Sequence, residues 1–222
     1  MTSGASSPVG EPAVVNASPL IFLARGDLFQ LLRLTGDRVV VPTAVAGELR
    51  RRGPNDPTVV AIESSDWVNV VEAGSVPPVI QAWDLGPGES AVLAWAAAHP
   101  GAEAILDDLA ARRCASSLAV PVRGTLGLVL LAKRRGMVPA ARPLLDTLRE
   151  AGMYLSPAVM DRALRLVGEC PANAIRATRA ASRDRADAGA APSADRRHPV
   201  ESYWELLVGK PDGIKHVLRF AS

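Results

Sequence analysis

Residues 103–136 read EAILDDLAARRCASSLAVPVRGTLGLVLLAKRRG, and their pattern decides the fold class. Glu103–Asp107 is a short apolar run ending in acids, as a buried strand would be. Helical spacing follows over 108–118, then a second strand over 120–123 and a second helical pattern over Gly124–Arg135. Strands alternating with helices of about ten residues build βαβ units around a parallel sheet. The alternation continues upstream. AVVN at 13–16, RVVV at 38–41 and Trp67–Val71 read as strands. A helix is expected from Ser18-Pro19, with Ser18 as its cap, Pro19 in the first turn and a break at Gly26-Asp27. A second runs from Pro42 to about Arg50, and a short one follows the loop at 53–57. Gly86-Pro87-Gly88 opens an Ala-rich helix that His99-Pro100-Gly101 stops, and 139–151 and 157–167 are further helical patterns.

The chain of 222 residues suits one domain plus appendages. Residues 1–12 are rich in Ser, Gly and Pro and are expected to be disordered; residues 13–169 form the domain; residues 170–222 form a low-complexity tail with a short apolar end. Nine Lys/Arg against six Asp/Glu lie in that tail, which leaves the first 169 residues at a net charge of −1. Any nucleic acid would therefore meet a local patch rather than bulk positive charge. The two cysteines, Cys114 and Cys170, are far apart, and His99, His198 and His216 have no metal-ligand spacing, so a zinc site and a disulfide framework are not expected. No apolar run approaches the ~20 residues of a membrane helix. The N-terminus has neither a basic start nor an apolar core, so the expected compartment is the cytoplasm.

Parallel α/β sheets gather ligands at the carboxyl ends of their strands. Asn16 closes the first strand and Asp107 and Asp108 close the fourth. Glu48 follows Val45 and Ala44 at helical spacing, and Glu89 precedes Val92 and Leu93 in the same way, so both acids are expected on covered helix faces. There a carboxylate is costly unless paired or bound to a cation. Each has a structural reading beside the functional one. Either aspartate would cap the next helix, Glu89 suits a helix N-terminus, Glu48 would pair with an arginine, and Asn16 would be a turn amide. Jointly, hard oxygen donors converging on one sheet edge suit Mg²⁺ or Mn²⁺ and phosphodiester cleavage. Arg112, Arg123, Thr125 and Lys133 are candidates for a phosphate-binding rim, although Lys133 equally suits a cationic helix C-terminus. Nine aromatic residues are too few for a base-stacking platform, and Trp83 and Trp95 are expected in the core or at a dimer contact.

The segments VVNASPLIFLA at 14–24, VPTAVAGELR at 41–50, LGPGESAVLAWA at 85–96, ILDDLAARRCA at 105–115 and GTLGLVLLAKRRG at 124–136, ending with LRLVGE at 164–169, resemble PIN-domain proteins related to VapC-type toxins. The resemblance covers 13–169 and implies a three-layer α/β/α sandwich with an acidic, divalent-metal pocket. It also implies ribonuclease activity, commonly as the toxin of a toxin–antitoxin pair. Carried over by position, the metal and catalytic residues would be Asn16, Glu48, Glu89 and Asp107 or Asp108, with Asp108 fitting the strand-end spacing slightly better. The usual PIN nuclease carries Asp where Asn16 stands. The leading expectation is a Mg²⁺- or Mn²⁺-dependent endoribonuclease leaving a 5′-phosphate and a 3′-hydroxyl, with RNA, an antitoxin protein and a second copy of the chain as partners. The rival is a catalytically weak or inactive PIN-like module that binds nucleic acid or protein.

Overall fold

A computed structural model describes residues 12–169; the expectations for the first 11 residues, for Cys170, His198 and His216 and for the tail lie outside the described residues. Five strands form one sheet, β1 (Ala13–Val15), β2 (Val39–Pro42), β3 (Val68–Val71), β4 (Ala104–Ile105) and β5 (Val122–Arg123). Their order is β3-β2-β1-β4-β5, and every neighbouring pair is parallel. Ala13, Val14, Val15, Val39, Val40 and Val41 are all buried. That is why these strands read as unbroken apolar runs: a parallel sheet is covered on both faces. The layers are those of an α/β sandwich.

Helices α1 (Ala17–Arg25), α2 (Thr43–Arg50), α3 (Pro57–Glu63), α4 (Pro78–Gln81), α5 (Pro87–Ala98), α6 (Leu109–Ser117), α7 (Thr125–Arg134), α8 (Arg142–Glu150) and α9 (Pro157–Leu166) surround the sheet. Several starts follow sequence chemistry. Asp56, Asp108 and Ser156 cap α3, α6 and α9 through their side chains. Two expectations need correction, and one segment was not anticipated. α1 starts before Ser18, and Asn16 holds its N-cap position. Past the Gly26-Asp27 break the chain forms a 3-10 helix over Phe29–Thr35. β4 is two residues long rather than five, although the Glu103 carbonyl and the Leu106 amide still bond to β1 and β5 at its ends, and Asp107 beyond it faces Thr125.

Two features position the site. β1 lies at the sheet's centre, where the chain winds outward through β2 and β3 before returning on β1's other side as β4. The crevice at that reversal, above the carboxyl ends of β1 and β4, is where such sheets hold ligands. At the other end, the Glu169 carboxylate accepts the Ala141 and Arg142 amides at the start of α8 and lies 3.8 Å from Lys133 Nζ. This clasp ties the last described residue to the start of α8. A chain ending at Glu169 is expected to be soluble and to melt cooperatively near the temperature of the full chain. One ending at Val167 should lose about 1–3 kcal/mol, the cost of stranding the two amides, and melt several degrees lower by calorimetry. Equal melting of the two would refute the clasp.

Candidate functional site

Asparagine is a strong N-capping residue, yet Asn16 makes no side-chain bond to the amides of α1. It turns to α5 instead, where Nδ2 donates to Glu89 Oε1 at 2.9 Å. A carboxylate only accepts, so this bond fixes the amide with Oδ1 facing away from that oxygen. Oδ1 is buried without a hydrogen-bond partner, on a residue only 2% exposed. Such atoms are few in folded proteins and call for an explanation.

Gly88, in the first turn of α5, forms the wall beside it. A β-carbon there would stand 3.0 Å from Asn16 Oδ1, 3.3 Å from Glu48 Oε2 and 3.4 Å from Val45 Cγ2. Asn16, just past β1, and Glu48, from α2, therefore meet at this one glycine, and Glu89 of α5 joins them through its bond to the Asn16 amide. Glu48 is more open than its spacing implied: the residue is exposed, and only its carboxylate reaches in to Gly88. Glu89 is half-buried in the first turn of α5, where the helix dipole favours an acid. The spacing of the acids found this cluster, but it gave no hint that Gly88 is the residue between them.

Asp107 and Asp108 part company. Asp108 is exposed and accepts the Ala111 amide at 2.8 Å as the cap of α6. Asp107 faces Thr125, accepting its amide at 2.8 Å and its hydroxyl at 2.6 Å. Gly124 precedes α7 with no side chain to cap it, so Asp107 serves that helix from a distant strand end. Burial pushes the Asp107 carboxyl above its ordinary range, while the Thr125 hydrogen bonds and the Arg112 cation pull the other way.

The expected phosphate rim is not assembled in one place. Arg112 is fully buried, and its Nη1 donates to the Leu106 carbonyl at 2.6 Å, which steadies the turn below Asp107. Arg123 is paired with Glu103 at 2.7 Å. Lys133 lies at the far end of α7, donating to the Pro139 carbonyl at 2.6 Å. Thr125 is the one of the four seen to hydrogen-bond a candidate site residue, as a buried partner of Asp107, and Arg112 lies near enough for its charge to act on the same carboxyl. Trp95 is in the core, stacked on His99 with ring centroids 3.9 Å apart, whereas Trp83 is exposed on the approach to α5.

Among the described residues, no three His, Cys, Asp or Glu side chains gather closely enough to hold a metal ion. The donors around Gly88 nevertheless fit a small oxygen-preferring cation in two respects. Oδ1 of Asn16 is an orphaned buried acceptor, and Gly88 leaves open the space that a β-carbon would fill. Gly88→Ala tests the fit. Gly→Ala in a helix favours folding by up to about 1 kcal/mol, which should offset the tight contacts, so the melting temperature should change little. Mn²⁺ affinity, read by calorimetry, should fall at least about tenfold; unchanged affinity would move the site elsewhere.

No curated protein and no solved structure matches the chain. A family model described as a PIN domain matches residues 12–169, more than two thirds of the sequence and the whole described region. With its parallel five-stranded sheet and the acids at the central carboxyl edge, this chain belongs to the PIN-domain family, whose fold is of nuclease type.

Proposed function

We propose that the chain is a metal-dependent endoribonuclease acting as the toxin of a toxin–antitoxin pair. One observation carries the enzymatic reading: the unpartnered, buried Asn16 Oδ1 beside the Glu48 carboxylate at Gly88. Asn16, Glu48 and Glu89 would hold Mg²⁺ or Mn²⁺, with Asp107 the fourth candidate donor. Such an ion, when bound, supplies Lewis-acid charge for phosphodiester hydrolysis. Glu89 orients the Asn16 amide through Nδ2. Thr125 holds Asp107 at the strand end, and each Asp107 oxygen keeps a lone pair after accepting one bond. Asp108 caps a helix in this reading and takes no part in catalysis.

The test is cleavage of labelled single-stranded RNA by the pure full-length protein in Mn²⁺ or Mg²⁺, against EDTA. Products with a 5′-phosphate and a 3′-hydroxyl are expected only with the divalent ion. A folded protein inert in both ions would sink the enzymatic reading. Growth arrest on expression, relieved by Glu48→Gln, would support the toxin role.

A second reading, a PIN-like module that binds nucleic acid or protein without cleaving, is favoured by the lack of a three-acid group among the described residues. Glu89 is engaged with Asn16 and Asp107 with Thr125. Metal titration separates the two readings.

A further inference from the structure

We infer that the outward face of α2 is the track along which an RNA backbone approaches the site, with Arg51 as the phosphate contact and Gly47 as the point of closest approach. The inference rests on the ribonuclease reading above. Ala44, Gly47, Glu48 and Arg51 recur at helical spacing, so they share one face, and all four are exposed. Arg51 keeps helical backbone angles as the C-cap of α2, which carries the face one turn past Glu48. Glu48 is also the residue whose Oε2 stands at Gly88 beside the unpartnered Asn16 Oδ1. The strip therefore runs directly into the carboxylate cluster.

The three consecutive arginines are not equivalent. Arg52 is bound to Asp56 at 2.8 Å. Arg50 lies over the groove between α2 and α3, with Leu49, Ile62 and Glu63. Arg51 is on Glu48's face and, among the described residues, makes no hydrogen bond or ion pair. Of the cations expected from sequence to meet phosphate, Arg123 is paired with Glu103 and Arg112 is fully buried beneath Asp107, away from the surface that an RNA backbone would touch. A polyanion drawn to an acidic cluster needs a cation close by, and Arg51 stands one turn away.

Gly47 supports the same path. A β-carbon there would meet nothing within 4 Å, so packing does not explain the glycine. Glycine inside a helix weakens it relative to alanine. What it provides here is bare backbone against which another chain can lie closely.

Binding of a fluorescein-labelled single-stranded RNA, followed by anisotropy in Ca²⁺, tests the assignment. Arg51→Ala should weaken binding about tenfold, lower the salt slope of log K by about 0.7 and leave the melting temperature unchanged. In cleavage assays it should raise KM with kcat retained. Gly47→Gln should weaken binding while the protein melts at the same or a higher temperature. Arg165→Ala, removing an exposed cation of α9, should bind as the parent does. Parental affinity and salt slope in both α2 variants would overturn the track and leave the ribonuclease reading standing. If the parent neither binds nor cleaves RNA, both fall. An Arg51→Ala effect confined to melting would reduce Arg51 to a helix-terminal cation.

Discussion

Glu48→Gln is expected to abolish divalent-dependent RNA cleavage without loss of thermal stability. The carboxylate meets Asn16 Oδ1 only across the space at Gly88, and its residue is otherwise exposed, so nothing in the core depends on it. Gln keeps the length and one oxygen but removes the charge. Loss of a unit charge about 4 Å from an ion forfeits on the order of 4 kcal/mol at an effective dielectric near 20, before desolvation is subtracted. Even partners outside a metal's own ligand set change affinity or activity 10–100-fold on mutation, so the loss here should be at least about 100-fold. Glu89→Gln should lose cleavage similarly. Glu89, unlike Glu48, is hydrogen-bonded to Asn16, and a glutamine can present its carbonyl to Nδ2 and keep that bond. Removing the Glu48 charge should hold or raise the melting temperature of the metal-free protein, whereas Glu89→Gln also gives up the helix-dipole interaction at the start of α5. Parental cleavage rates in both variants would show the site to be misassigned.

Asn16→Asp is expected to produce the opposite change in metal binding and a fall in metal-free stability. The substitution replaces the Nδ2 donor, 2.9 Å from Glu89 Oε1, by a second carboxylate oxygen. Two carboxylates that close cannot both stay ionised without a cation between them. The metal-free variant should therefore melt several degrees below the parent. Mn²⁺ should more than restore that loss, because the ion gains a charged ligand and relieves the repulsion. Cleavage should then rise at low Mn²⁺, where the parent is unsaturated. The measurements are melting temperature with and without Mn²⁺, a calorimetric Mn²⁺ titration and cleavage across metal concentrations. A variant that is destabilised and not rescued by Mn²⁺ belongs to the binding-module reading, and absence of Mn²⁺ binding in both proteins removes the metal-dependent mechanism.

The sheet was legible because a strand covered on both faces has little choice of composition: the short, β-branched runs of β1 and β2, each followed by a helix start, favour buried strands. Periodicity pointed to Asn16 and Glu89 as polar groups against the core, and both are at least half-buried, whereas Glu48, expected on a covered face, is exposed. Distances through space were not legible. Asp107 and Asp108 are chemically identical neighbours, and the choice between them depends on Thr125, 18 residues away. Arg112 reads as a surface cation on its helix, but the Leu106 carbonyl draws it inside. Helix α4 was not anticipated from the sequence; its Pro78 occupies the first turn, where proline is tolerated. Arg51 was hidden in a run of three arginines whose roles separate only when Asp56 and the α3 groove are in place.

The clasp at Glu169 also fixes where a handle can be attached. It lies by Lys133, and α7 separates Lys133 from Thr125 by about 12 Å of helix axis, at 1.5 Å per residue. A protein shortened to Glu169 thus ends at the opposite tip of that helix from the strand-end crevice. A biotin or dye fixed there would anchor the molecule to a surface with the crevice facing the solution, a geometry suited to watching single RNA strands arrive and leave.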